Sequence, residues 1–387
     1  MHLVEVKDTA SEKLFLSMPL AIYKEDKNWV RPLDNEIKTI FNPAKNPKFE
    51  GGEAIRWLLM NNQNECIGRV AAFYNQKISD KEKQPTGGIG FFECIDNQEA
   101  ANVLLEACKN WLTQKGMQAM DGIVNFGERN SFWGLLIEGD LPQSYGANYH
   151  PKYYKKLLEN YGFQEYFKQF TYRVSSKHRP EEDFEKRAER ILSNQSYQIR
   201  HIEMKHLHKY LEDFREIYNK SWVKHAGVPE MTTKDVEKMA KDLKPIIDEK
   251  LIWFCYYNGE PIAFMVMIPE INQIIRKLNG KMHLWNQLRF LYYQKMKTIN
   301  VALGLVIGIA PRFQGRGVDS AMMKAFSKES YQEKFQYHTL EFNWVGDFLP
   351  AMMSIYENIG AKVVKIHATY RYLFDRTIPF ERHPIIK

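Results

Sequence analysis

At 387 residues, 44% hydrophobic and 13% aromatic, the chain exceeds what a single core usually holds, and two domains are expected. Its formal charge of +7 favours anionic ligands, yet no basic run is dense enough for a nucleic-acid tail, and no uninterrupted apolar stretch approaches the ~18 residues of a membrane span. Four scattered cysteines, Cys66, Cys94, Cys108 and Cys255, form no CxxC pair, and the opening MHLVEVKDTASEK is polar where a signal peptide is apolar; the expectation is a soluble, cytoplasmic protein without metal or disulfide framework.

The first half reads as a strand over 3–6 and a helix over 10–20, then a loop-rich stretch over 31–52 broken by Pro32, Pro43, Pro47, Gly51 and Gly52. Strands over 54–61 and 65–75 pair as a hairpin through 62–64. A strand over 88–95, a helix over 98–115, a strand over 120–124, a helix over 152–160 and a strand over 167–174 complete this unit. Residues 176–190, SKHRPEEDFEKRAER, are charged and contain a proline turn. The boundary is placed there: one domain over 1–175, a part-helical linker over 176–195, and a second domain over 196–387.

The second half repeats the order of elements. A strand over 197–202 leads to helices over 207–222 and 233–243, then to strands over 251–257 and 260–267. A strand over 301–309 precedes a helix over 318–334, a strand over 338–343, a helix over 350–359 and a last strand over 368–374. The halves share element order far more than sequence, the mark of two copies of one mixed-sheet α+β unit. Residues 270–299 have no counterpart in the first half. There Leu, Ile, Trp and Tyr are mixed with Arg276, Lys277, Lys281, Arg289, Lys295 and Lys297. The stretch reads as one or two short amphipathic helices, either packed on the sheet or offering peripheral contact to an anionic, lipid-like partner.

The densest chemistry follows the apolar strand GLVIGIAP at 304–311. The chain runs from it into RFQGRGV at 312–318 and then into a helix. Gly315 and Gly317 allow the backbone to approach an anion closely and to take positive φ. The first N–H groups of the helix and its dipole favour negative charge there. Arg312 and Arg316 add donors for phosphate oxygens, and Gln314 and Val318 complete the loop.

Arg312, Gly315 and Gly317 fill the R/Q-x-x-G-x-G/A signature, and with the strand before and the helix after, the segment resembles the pyrophosphate loop of the GNAT acyltransferases. Nearly the whole chain resembles tandem-domain bacterial members of that superfamily. The resemblance implies two GNAT-like domains, the second binding acetyl-CoA or another acyl-CoA and passing the acyl group to an amine by direct attack. The pantetheine arm would pair with the backbone of Ile307, Gly308, Ile309 and Ala310 in a wedge between splayed strands. IYENIGA at 355–361 is similar to the family's L-Y-E-x-x-G-F segment, which gives Tyr356 the role of acid to the leaving thiolate. Glu341, a carboxylate on a buried strand, is the candidate general base, with capture by a nearby arginine as the alternative. Tyr218, Trp222 and Asn343, with the loop over 224–231, fall on the acceptor side. GDFLP at 346–350 departs from the family where relatives carry an asparagine that touches the cofactor.

The first half lacks the loop. Asp96, Asn97 and Gln98 stand there with no glycine, no arginine and a negative charge, and Leu158 occupies the position of Tyr356. That half is expected to be catalytically silent, with NFGERN at 125–130 and YHPKYY at 149–154 lining the acceptor cleft. Long-chain acyl or aminoacyl transfer, with 270–299 as a lid over the acyl chain, and non-catalytic CoA binding stay open as alternatives. The acceptor is a small-molecule or peptide amine; nucleic acid is not an expected partner.

Overall fold

The computed structural model describes residues 1–127, 129, 131–179, 182–222 and 230–386, apart from the side chains of Trp222 and Asp242. The first unit opens with β1 (His2–Glu5), α1 (Thr9–Ser17), α2 (Pro19–Ile22) and α3 (Asp34–Ile40). β2 (Gly52–Met60), β3 (Cys66–Asn75) and β4 (Thr86–Cys94) run antiparallel, with the short α4 (Gln76–Ser79) before β4. Along α5 (Gln98–Gln114), Ala100, Leu104, Cys108 and Leu112 recur every four residues and are buried, so one stripe of the helix seals the sheet. The helix returns the chain so that β5 (Ala119–Gly122) lies parallel to β4. β6 (Leu135–Glu138), α6 (Tyr153–Tyr161) and β7 (Gln164–Ser175) follow.

After α7 (Glu182–Leu192) the pattern recurs. β8 (Tyr197–His201), α8 (Leu207–Trp222) and α9 (Thr233–Leu243) lead to the antiparallel β9 (Ile252–Tyr257) and β10 (Glu260–Pro269). The 270–299 stretch forms α10 (Asn272–Ile275) and α11 (Leu284–Lys295). β11 (Val301–Ile309), α12 (Val318–Ser330) and β12 (Thr339–Gly346) repeat the parallel strand–helix–strand crossover, and α13 (Pro350–Asn358) and β13 (Lys362–Leu373) end the fold. Alternation along β9 separates two cores. Trp253 and Cys255 face α7 and α12, whereas Ile252, Phe254 and Tyr256 face α8 and α9. Among the described residues no helix is long and apolar enough to cross a membrane.

The expected division at residue 175 is crossed twice. All strands join one sheet in the order β1-β2-β3-β4-β5-β13-β7-β12-β11-β10-β9-β8, with β6 beside β13. The last strand of each unit therefore lies next to the other unit: β7 pairs antiparallel with β12, and β13 pairs with β5 and with β7. Strand exchange covers the edge that each unit would otherwise expose, so neither half ends in an open ladder there. The segment read as a linker is also structural. α7 buries Phe184, Ala188 and Ile191, and Lys324 of α12 forms ion pairs with its Glu185 and Glu189.

Candidate active site at the fork of two parallel strands

β11 and β12 are paired only from Val301–Thr339 to Gly304–Phe342. Beyond that point β12 leans on β7, while β11 stays with β10 alone, so a wedge opens along Leu305, Val306, Ile307, Gly308 and Ile309. A bulge gives β11 an extra residue at Leu305, between the Val306–Val266 and Gly304–Met267 pairs. Gly304 is needed at the fork: a Cβ there would stand 2.6 Å from the Phe342 ring.

At the far end of the wedge the loop turns through two left-handed residues, Gly315 with φ +69° and Gly317 with φ +90°. Gly317 is the N-cap of α12 and no side chain caps that helix, so its first N–H groups are left for an anion. Arg312 and Arg316 are exposed and have no carboxylate partner among the described residues. Gln314 donates instead to the Ile309 carbonyl at 2.9 Å and ties the loop to its strand. Val318 is buried as the first helical residue, and Ala310 donates to the Ile262 carbonyl at 2.8 Å. Two cations that sequence reasoning missed come from α7. Arg190 donates to the Arg316 carbonyl at 2.9 Å, and Arg187 packs against Gly317.

Tyr356 reaches the fork from α13. Its ring stacks on Phe342 at 4.7 Å between centroids and touches Tyr172 at 5.3 Å. Its hydroxyl has no hydrogen-bond partner among the described residues. Burial pushes the phenol up to about 12, and the neighbouring Tyr172 adds to this. That alone makes the group a poor acid. Burial raises thiols as well, as at Cys255 on β9, pushed to about 12.

Glu341 does not have the freedom a general base needs. Its Oε2 accepts from Arg173 Nη2 at 2.6 Å and Nε at 3.1 Å, and its Oε1 accepts from Lys365 Nζ at 3.1 Å and from Ser144. Burial favours the protonated form, but the Lys365 ammonium and the Arg173 guanidinium outweigh it and hold the carboxyl below its ordinary value. The arginine-held alternative is the one observed. Lys365, in the middle of a β-branched strand, was the available signal, since a buried ammonium demands a carboxylate. His367 and His150 are no substitutes, because burial lowers them to about 4 and about 3.

On the side where the acceptor was expected, the end of α8 meets β11: Ser221 donates to the Ile309 carbonyl at 3.2 Å. Tyr218 lies one turn earlier, half-buried and stacked on Phe214. Asn343 is half-buried at the irregularity where β12 loses register with β7. The Trp222 side chain and most of the 224–231 loop lie outside the described residues.

The first unit repeats the fork but closes it. β4 and β5 pair only over residues 86–88 and 119–121, yet Val124 then donates to the Ile89 carbonyl at 2.8 Å. A Cβ on Gly90 would stand 1.9 Å from the Val124 carbonyl oxygen, so the chain itself fills the wedge. Asn97 caps α5 by accepting from Ala100 N–H at 2.8 Å. The segment over 149–154, expected to line a cleft, is internal support instead. Tyr153 donates to the Cys94 carbonyl and Tyr154 to Glu93, which also pairs with Arg69 and accepts from Tyr23. Of the segment over 125–130, residues 128 and 130 lie outside the described set.

No family model matches the chain. It is 28% identical over 380 residues to the bacterial ceramide synthase of Caulobacter vibrioides (strain NA1000 / CB15N), covering 96% of this chain and 97% of that one. To protein YghO of Escherichia coli (strain K12) it is 24% identical over 367 residues, covering 92% of each. Among solved structures, the tandem GNAT protein from the clavulanic acid biosynthesis pathway superposes with a TM-score of 0.55 over 98% of this chain and 99% of that one, at 8% identity. Two repeated units of one continuous mixed sheet, joined by exchanged strands, together with that superposition, establish the tandem GNAT fold for this chain.

Proposed function

We propose that the chain is an acyl-CoA-dependent N-acyltransferase whose single working site is the fork between β11 and β12. The observation that carries the reading is the continuity of that wedge. An anion-ready helix N-terminus with Arg312 and Arg316 stands at one end, and Tyr356, whose hydroxyl has no partner among the described residues, stands at the other. The pyrophosphate would lie on the loop and the thioester beside the Leu305 bulge. An amine entering past Tyr218 and Asn343 would attack the carbonyl; the C–N bond forms, the C–S bond breaks, and the departing sulfur takes its proton from Tyr356, which regains one from the attacking nitrogen. Glu341 is not the base, because it is held by Arg173 and Lys365.

The default of acetyl transfer yields to a longer chain on one observation. A relative aligned along 96% of this chain is named a ceramide synthase, and a ceramide is the amide of a fatty acid and a long-chain amino alcohol. An apolar wedge suits such a chain: Ile307, Ile309, Met352 and Met353 belong to one cluster with Tyr356. The test is thiol release from acetyl-CoA and palmitoyl-CoA, each offered a long-chain amino alcohol or a short amine. Palmitoyl transfer to the long-chain amine supports the reading. Turnover confined to acetyl-CoA and short amines restores the acetyl default, and CoA binding without turnover on any pair would make the protein a non-catalytic CoA binder.

A further inference from the structure

The helix α11 is built inside out. At 3.6 residues per turn, Asn286, Phe290 and Tyr293 share one side. That side is the attached one: Asn286 and Phe290 are buried, and Asn286 donates to the carbonyls of Leu278 at 3.0 Å and Lys281 at 2.9 Å. The opposite arc, roughly 140° wide, carries Leu284, Trp285, Leu288, Leu291, Tyr292 and Met296, all exposed. Leu284 is 70% and Trp285 73% accessible. A soluble surface rarely gathers so much aliphatic and aromatic area on a single helix.

The charge along the segment itself is of one sign. Residues 271–300 contain six Lys or Arg and no Asp or Glu. Arg289 borders the apolar arc, Lys295 falls within it on the last turn, and Lys281 and Lys297 are exposed beyond the two ends of the helix. A second copy of the chain is a poor occupant, because a two-fold contact through this face would bring the same cations together. A lid over the acyl chain is equally poor, since the apolar face points outward. Leucines along one side of the arc, Trp and Tyr along the other, and long cationic side chains that reach up to the headgroups from its edge and last turn match a helix lying in the headgroup layer of an anionic bilayer.

We propose that α11 is an interfacial membrane-docking helix, which seats the protein on anionic lipid with Leu284, Trp285, Leu288 and Leu291 inserted and Arg289, Lys295 and Lys297 on lipid phosphates. The inference stands apart from the acyltransferase reading, because docking requires no acyl-CoA. Flotation of the full chain with vesicles of phosphatidylcholine alone, and of phosphatidylcholine mixed with phosphatidylglycerol, tests it directly. The chain is expected to float with the mixed vesicles and to be left behind by the neutral ones. The double variant Leu288→Ser, Leu291→Ser should lower partitioning by at least about tenfold. Arg289→Glu with Lys295→Glu should abolish the preference for anionic lipid. All four side chains are exposed, so both variants keep the fold, and circular dichroism verifies that. No flotation of the wild type, flotation unchanged in the Leu288→Ser, Leu291→Ser variant, or a wild-type dimer in light scattering that this variant dissociates would overturn the proposal.

Discussion

Tyr356 lies nearly face to face on Phe342, with planes 15° off parallel, and Phe342 is the last β12 residue paired to β11. The phenol is thus held at the point where the two strands part. Replacing Tyr356 with Phe keeps the ring and removes only the hydroxyl. That hydroxyl has no protein partner among the described residues, so thermal stability should change by less than about 0.5 kcal/mol. If the hydroxyl supplies the proton to the leaving sulfur, turnover falls by roughly 10²–10⁴-fold at nearly constant CoA affinity. Near-normal turnover in Tyr356→Phe would leave the ring a packing role alone.

Glu341→Gln separates structural from catalytic carboxylates. The change leaves Lys365, 3% exposed, without its counter-charge, which should cost about 3–5 kcal/mol. The folded carboxyl sits below its ordinary value, so its contribution is present above that value and disappears as pH falls through the folded one. Urea melts should therefore show an acid-side loss in the wild type that the variant lacks. The folded fraction of Glu341→Gln should keep its turnover and the shape of its pH–rate profile. A selective loss of the basic limb would return Glu341 to the role of general base.

The loop, its flanking strand and helix, and the doubling of the unit were all legible in the sequence, because each rests on local pattern: β-branched runs, glycines at fixed offsets and an apolar stripe on α12. What was illegible is long-range. Nothing local in QEYFKQFTYRVS tells that β7 will pair with β12, 164 residues later in chain at Thr339–Ser175. Glu341 read as a base because Arg173 stands 168 residues away and only the exchanged strands bring it near, whereas the buried Lys365, 24 residues on, was a signal left unused. α7 looked like a linker because its charges dominate, and its three inward residues gain meaning only against α12. The outward face of α11 was likewise hidden, since its composition is apolar on both sides.

Gly317→Val should damage the loop through its backbone. A Cβ at Gly317 would meet Arg187 at an ordinary 3.4 Å, so crowding is modest, but φ of +90° is strained for a β-branched residue. The relaxed loop no longer presents its N–H groups together, and CoA affinity should fall by at least about tenfold. Circular dichroism should be unchanged. Calorimetry showing unaltered CoA affinity would remove the pyrophosphate from this loop.

One CoA is expected per chain. Asn97 occupies the N-terminus of α5 and the Val124 backbone fills the first wedge, so the first unit offers no second site. Calorimetric titration should give a stoichiometry near one, and Arg312→Ala with Arg316→Ala should weaken all of the binding rather than half of it. A residual site of undiminished affinity in that double variant would place CoA in the first unit.

Glu270 offers a pH test of the contact between the halves. Its carboxyl is buried and accepts from the backbone N–H groups of Tyr145 and Asn272, which fastens a first-unit loop to the end of β10. Burial, and then the nearby Glu341 carboxylate, raise it from 4.5 to about 7. Between those values the folded protein keeps a proton that the unfolded chain has released. Stability therefore falls as pH rises from about 4.5 to about 7 and is level above, a loss on the order of 3 kcal/mol. Glu270→Gln retains an acceptor oxygen for the two N–H groups and carries no proton to lose. Its urea midpoint should match the wild type near pH 5 and exceed it near pH 8, so the difference between the two curves isolates this one group from every other titration. Parallel curves across that range would mean that Glu270 is ionised throughout and that the Tyr145 loop is held by charge rather than by a shared proton.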